Sequence, residues 1–311
     1  MPFIEKEYIV EEPIPAFLFL MRRLGVRQNE AQKIVATGRL LVNGERPTHD
    51  GEKIVGCVRV KMFEPFTKGR KPVFEGPDLA FFDKPSGVLV HPTTYRTPYS
   101  MLDEIRHLYG PYANAVHRID METSGLLLAA KNKAAEKRLK TLFESRGVQK
   151  RYLAWVRGRI DTPFEVNAPL KINNDFSTIK LKMLVHPDGK PAITRFAPIE
   201  YDPIHDATLI SAEPLTGRQH QIRVHLFHVK HPIIGDPIYG VPTEIAIRYL
   251  DKELSEKERR YYMGGTRLML HAQTLSFKDN GVFYHIESRY DFESEKSTIT
   301  PPADRADPLF V

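Results

Sequence analysis

A chain of 311 residues with 41% hydrophobic and 27% charged residues has the make-up of a folded globular protein, with room for one sizeable domain and a smaller companion. No run approaches the ~20 apolar residues needed to span a bilayer, and the opening MPFIEKEYIVEEP is acidic where a signal peptide is basic and then apolar. Cys57 is the single cysteine, which excludes an intramolecular disulfide and a multi-cysteine zinc site and suits a reducing cytosol, and the net charge is a modest +6.

In chain order, Phe17, Leu20 and Leu24 fall at helical spacing with Gly25 as a stop. A second helix is expected from Asn29, with Gln32 as its capping-box partner, Ala31, Ile34 and Val35 as its apolar face and Gly38 as a left-handed cap. Leu40-Leu41-Val42 reads as a strand running into an Asn43-Gly44 hairpin turn. These elements make too little core to stand alone, so residues 1–65 read as a small module tethered to something larger. Residues 66–78 are rich in Pro, Gly and Lys and read as a linker.

The larger domain, 79–298, opens with a strand at Leu79–Phe82, a turn at Lys84-Pro85-Ser86-Gly87 and a strand at Val88–Val90. An amphipathic helix is expected at 134–143, with Ala135, Leu139, Leu142 and Phe143 inside and Gly147 ending it. Strand-like runs follow at 152–157, 178–185, 193–199, 207–212 and 268–277, a surface helix at 244–260, and a poorly ordered tail, 299–311. Strands outnumber helices without regular alternation, which predicts an α+β fold, a mixed and largely antiparallel sheet, rather than a doubly wound one. Windows 21–39 and 133–151 carry net +4 and +5, so the remainder is slightly acidic and the positive charge is concentrated. Such clustering suits a polyanion, although solvated helix faces give the same pattern.

Three stretches stand apart from generic core sequence. Val116 to Leu128 sets a dense polar loop before a wholly apolar run, a usual place for catalytic groups. Gly147 to Val156 puts Tyr152 behind two cations, and Thr216 to Leu226 continues to His231 to Gly240. Together these residues resemble an RluA-type pseudouridine synthase with an N-terminal S4-type RNA-binding domain. His117 to Gly125 matches that family's H-R-L-D-x-x-T-S-G segment, with Ile119 for leucine. Lys84 to Gly87 through His91-Pro92 resembles the preceding motif, and Lys150 and Tyr152 its K-x-Y. Thr216 to Arg223 resembles T-G-R-x-H-Q-I-R, and His231 to Gly240 the later H-P-I-x-G-D-x-x-Y-G, with a last strand at Leu270-His271-Ala272.

The resemblance implies a cofactor-free isomerisation of uridine to pseudouridine in RNA, with ribosomal RNA favoured over transfer RNA. It makes Asp120 the catalytic carboxylate, a nucleophile or base. Burial alone would raise the pKa of that group, and Arg223 is its implied cationic partner. Ile222 and Tyr152 are implied on the two faces of the uracil, Tyr152 also able to move a proton, with Lys150 and Arg218 at the substrate. Arg118 would fill the space left by the flipped base. RNA phosphates would meet Arg22, Arg23, Arg27, Lys33 and Arg39 in the first domain and Lys137 and Lys140 in the second. Phe17, Phe19 and Met21 depart from the polar Arg-Leu-Asp opening of the S4-type module. A cytoplasmic monomer with no membrane and no obligate protein partner is the expectation.

Taken singly, each residue has a plainer reading. Asp120 alone is a turn or cap aspartate, Tyr152 a half-buried strand tyrosine and Arg223 a structural ion-pair residue. Lys84, His91, His117 and Asp236 read as scaffolding. His220, His225, His228 and His231 lack metal-ligand spacing and read as hydrogen-bonding histidines, so no metal is expected. Two other functions compete: an RNA-binding or ribosome-assembly protein with an idle catalytic domain, and a metal-dependent nuclease.

Overall fold

The computed structural model describes residues 2–173, 179 and 182–310. The N-terminal part is built on β1 (Phe3–Pro15), α1 (Ala16–Leu24), α2 (Gln28–Ala36), β2 (Leu40–Val42) and β3 (Lys53–Phe63). β1, β3 and β2 form an antiparallel sheet in that order. Alternation along β3 sends Ile54, Val58 and Val60 inward against Ala16, Phe19 and Leu20 of α1 and Ala31, Ile34 and Val35 of α2. Phe17, Met21 and Leu24 pack on the same cluster, so the apolar opening of α1 serves the core. The long β1 and β3 are additions to the expected helical unit; charged residues on their solvent face dilute the apolar signal.

Gly25 does end α1 in the left-handed region (φ 65°), its N–H donating to the Met21 carbonyl. The expected capping box at Asn29 and Gln32 is absent: α2 starts at Gln28, which places Asn29 inside the helix, and the Gln32 amide donates to Asp50. Gly38 takes the left-handed conformation (φ 66°) just beyond the helix. Asn43 (φ 50°) and Gly44 (φ 93°) form the turn, bridged only at Val42 and Glu45. The true partner of β2 is β3, held by the Asn43 side chain on Cys57 N–H and the Val55 carbonyl.

The presumed linker is tied down. Thr67 and the Lys68 N–H donate to Glu104, and β4 (Phe74–Glu75) pairs with β5 (Leu79–Lys84). No strand forms at 88–90; Leu89 makes one isolated bridge to Ser100, at the start of α3 (Met101–Tyr109). This helix, with its Ser100/Asp103 capping box, is an element that periodicity missed. β6 (Asn114–Ala115) and β7 (Ser124–Ala130) follow, then α4 (Lys133–Glu144), capped by Asn132, and β8 (Gln149–Arg157). The two parts of the chain touch through aromatic and cationic contacts. Phe3 meets Tyr95 edge-on at 5.0 Å, Arg27 lies over Tyr112 at 5.3 Å and Arg106 over Phe63 at 5.2 Å.

Next come β9 (Phe164–Asn167), β10 (Leu170–Ile172), β11 (Met183–Val185), β12 (Ile193–Asp202), β13 (Ala207–Pro214) and α5 (Gln221–His228). Of the strand expected at 178–185, residues 178, 180 and 181 lie outside the described residues, and Met183–Val185 pairs with β10. The helix expected at 244–260 is two, α6 (Thr243–Leu250) and α7 (Glu256–Met263), because Ser255 and Glu258 build a new capping box. β14 (Leu270–Asp279) and β15 (Val282–Glu287) close the sheet. The tail docks rather than frays: Ala306 N–H donates to the Tyr261 carbonyl, Leu309 N–H to that of Gly240, and Phe310 stacks on Phe227.

Among the described residues the main sheet runs β4-β5-β7-β14-β8-β13-β12-β9, with β15 beside β14 and β6 beside β7. Only β7 and β14 pair in parallel there, so the sheet is mixed and largely antiparallel and the fold is α+β. Period-2 alternation splits its core. Leu79, Phe81, Leu126 and Leu128 face α4, whereas Ala80, Phe82, Leu127 and Ala129 face α3. At the centre Gly125, Ala272 and Tyr152 sit side by side across β7, β14 and β8. The loop leading into β7 and the start of β8 therefore open at one place. No helix among the described residues is long and apolar enough to cross a membrane.

Candidate active site

The loop 116–123 is clamped from below. The buried Lys84 amine donates to the carbonyls of Pro85, Val88 and Met121 at 2.8 to 2.9 Å, three acceptors for the three N–H donors of an ammonium. Burial pulls this amine down to about 7. Ser86 donates to the Glu122 carbonyl and Gly87 N–H to that of Met121. His117 accepts the Leu128 N–H and stacks on Phe143 at 4.5 Å. Burial, and then Lys150, lower its pKa to about 3, so the ring is neutral. Lys84 and His117 thus hold the two ends of the loop that presents Asp120.

Asp120 Oδ2 accepts from Arg223 Nη1 at 3.1 Å, and its side chain keeps 25% of its surface exposed while that of Arg223 keeps 1%. Arg223 leaves the first turn of α5 and is gripped on its other edge by Asp236, Nε and Nη2 at 2.7 and 2.8 Å. Asp236 is itself held by the N–H groups of Ile238 and Tyr239. Burial opposes the charge on Arg223, but Asp236 and then Asp120 outweigh it and keep the guanidinium more firmly charged than usual. The Tyr239 ring lies 5.2 Å from that guanidinium. A fixed cation thus holds one oxygen of a carboxylate that still reaches solvent.

Asp120 and Arg223 line a cavity of about 890 Å³, within the range of ligand sites. Ile222 and Tyr152 are in its wall, and burial, with Asp120 nearby, pushes the Tyr152 hydroxyl up and keeps it protonated. Lys150 shares the face of Tyr152 on β8; burial, and then Arg146, lower its pKa, and among the described residues it pairs with no carboxylate. Arg118, Arg146, Lys140 and Arg218 complete a cationic rim. Arg218 also supports its own loop by donating to the Pro191 carbonyl. The site thus gathers Asp120, Tyr152, Arg223, Arg118, Ile222, Lys150, Arg218 and Lys140 from distant parts of the chain.

The other basic positions lie elsewhere. Arg22, Arg23 and Lys33 are exposed on α1 and α2, Arg27 is turned to Tyr112, and Arg39 is partly buried with its Nε on Thr37. On α4 Lys137 is exposed, Lys140 pairs with Glu136 at 2.7 Å, and Arg138 turns inward to Asp78 and Asp279. The basic window of the second domain is therefore partly an internal ion-pair cluster. His225 bonds Thr194 and the Ala168 carbonyl, and His231 the Arg157 carbonyl.

Asp236 has more to do than support a loop, since it fixes the arginine that fixes Asp120. A signal for it exists in the sequence: an acid inside Pro-Ile-Ile-Gly-Asp-Pro-Ile-Tyr must be paired if buried, and Arg223 is the nearest arginine on its N-terminal side. His220 and Tyr239 each fall on a motif position, but nothing in the sequence signals their contact with one another, which is purely tertiary.

A family model for RNA pseudouridylate synthase matches residues 78–228. An uncharacterized RNA pseudouridine synthase of Helicobacter pylori (strain J99) is 38% identical over 289 residues, 93% of this chain and 96% of the relative. The ribosomal large subunit pseudouridine synthase D of Escherichia coli (strain K12) is 34% identical over 216 residues, 65% of each chain. Among solved structures, human RNA pseudouridylate synthase domain containing 1 is similar in fold, with a TM-score of 0.59 at 24% identity over 79% of this chain and 93% of the human one.

Proposed function

The chain belongs to the RNA pseudouridine synthase family, and within it we propose a large-subunit ribosomal RNA enzyme whose reacting carboxylate is Asp120. The observation that carries the residue assignment is the ion pair of Asp120 to Arg223 in the wall of the cavity, with Arg223 itself locked from behind by the buried Asp236. Support for the RNA class comes from the 34% identity to the Escherichia coli relative, whose name specifies the ribosomal large subunit.

The reaction breaks the N1–C1′ bond, turns the uracil, joins C5 to C1′, and moves a proton from C5 to N1, with no net redox change. Attack at C1′ and proton abstraction at C2′ both begin at the same carboxylate. The target base must leave its stack to reach Asp120, and Arg118, exposed at the rim of the cavity, would fill the gap. Ile222 and Tyr152 hold the detached uracil between an aliphatic and an aromatic surface, and the protonated Tyr152 hydroxyl can donate to it. Lys150 and the rim cations meet the backbone phosphates, and the exposed Arg22, Arg23 and Lys33 give a second grip through an S4-type module in the cytoplasm.

Asp120→Asn is expected to abolish tritium release from 5-tritiated uridine RNA, by more than ~1,000-fold, with RNA affinity within a few-fold. Substantial turnover in that variant would overturn the carboxylate assignment. Mapping pseudouridines in a strain without the protein tests the substrate. Loss confined to large-subunit ribosomal RNA is expected, and loss confined to transfer RNA would overturn it.

A further inference from the structure

We infer that His220 is a positioning residue for Asp120: its Nε2–H faces the oxygen that Arg223 already holds and becomes a second donor to it when the site closes, and Tyr239 sets the tautomer that makes it one. The inference rests on Asp120 being the reacting carboxylate. Tyr239 is buried and its hydroxyl accepts the Met183 N–H at 2.9 Å. Its own hydrogen then needs an acceptor, and His220 Nδ1 lies 3.0 Å away. Were Nδ1 the protonated nitrogen, the hydroxyl oxygen would accept twice and its hydrogen would be buried with no partner among the described residues, the costlier arrangement. The proton of the neutral ring therefore sits on Nε2.

That nitrogen is 3.9 Å from Asp120 Oδ2, the same oxygen that Arg223 Nη1 bonds. Burial first, then Arg223, lower the His220 pKa to about 4, against the smaller pull of Asp120 and Asp236, so the ring is neutral at ordinary pH. The His220 side chain does not cap α5, and its backbone is left-handed at φ 53°, a conformation costing a non-glycine residue about 1 kcal/mol or more. The imidazole lies edge-on to the Tyr239 ring at 5.8 Å. A strained residue whose side chain does nothing for its own helix and faces the reacting group is held for the site. Catalytic hydrogen bonds are often long before substrate binds, and a shift of roughly 1 Å would close this one. Two donors on Oδ2 then leave Oδ1 as the oxygen offered to the nucleoside.

Tyr239→Phe keeps the ring beside Arg223 and removes only the hydroxyl. It is expected to lower kcat ~10-fold with KM for RNA within about two-fold. His220→Ala should lose more than His220→Gln, whose side-chain amide keeps a donor. Imidazole nitrogen NMR of the wild-type protein supplies a readout independent of turnover. His220, assigned by its disappearance in His220→Gln, should show a protonated Nε2 and an unprotonated Nδ1, and a tautomer mixture in Tyr239→Phe. A protonated Nδ1 in the wild-type protein would overturn the inference, as would unchanged kcat in both Tyr239→Phe and His220→Ala. Activity in Asp120→Asn would instead break the functional reading and leave the tautomer result standing.

Discussion

Arg223 shares one guanidinium between two carboxylates of unequal standing. Asp236 takes two of its N–H groups in full burial, and Asp120 takes one at the edge of the cavity. The first contact sets the geometry and the second uses it. Asp236→Asn replaces the bidentate carboxylate with an amide and leaves a buried cation undercompensated. Breaking such a pair costs about 3 kcal/mol or more. Urea denaturation should show a loss of that order, and kcat should fall because Asp120 loses its fixed partner. A variant as stable and as active as the parent would mean that Asp236 is ordinary scaffolding. Asp120 and Arg223 were legible in the sequence through the motifs around them, whereas the tautomer lock of His220 depends on Tyr239 and Met183, which no local pattern connects.

Among the elements, the junction of β7 with β14 is what lines up the loop of Asp120 with Tyr152. Gly125 has φ +105°, and a Cβ there would fall 2.3 Å from the Ala272 carbonyl oxygen, a backbone atom that cannot swing aside. Gly125→Ala should therefore cost roughly 3 kcal/mol or more, or prevent folding. Gly87→Ala is the control, with φ +79° but nothing within 4 Å of the new methyl, and should cost only about 1 kcal/mol. Equal thermal shifts in the two variants would refute the close-approach argument. Elements with an unbroken apolar run or a periodic apolar face of their own, such as β7, β13 and α4, were readable in advance. α3 was not, because its apolar face is short and its cap lies in a Pro-rich loop. The docked segment after residue 299 was not either, because its partners, Tyr261, Gly240 and Phe227, are supplied from elsewhere in the chain.

At the scale of the molecule, several histidines are held neutral by burial. The pKa of His271 falls to about 3, that of His117 to about 3 and that of His220 to about 4, burial being the leading cause in each. The unfolded chain takes up protons near the ordinary value of ~6.5, and the folded protein does so only near these lowered values. Stability is therefore complete above the ordinary value and is lost as pH falls towards the folded values. Each group can cost on the order of 1–2 kcal/mol by about pH 5. Unfolding midpoints in urea should drop steeply between about pH 7 and about pH 5, and a flat profile there would contradict the neutral assignments.

The sequence by itself determined the fold class, the apolar runs of the main strands and, through its motifs, Asp120, Tyr152, Ile222 and Arg223 as residues that line the cavity. Those properties reside in periodicity and in contiguous motifs, which a chain carries whether folded or not. Only the tertiary structure decided that the presumed linker and the tail are packed and that Arg138 turns inward to Asp78 and Asp279. It alone placed Asp236 and His220 around the Asp120–Arg223 pair. The reason is physical: an ion pair or a tautomer is set by groups within a few ångströms, and here those groups are tens to more than a hundred residues apart along the chain.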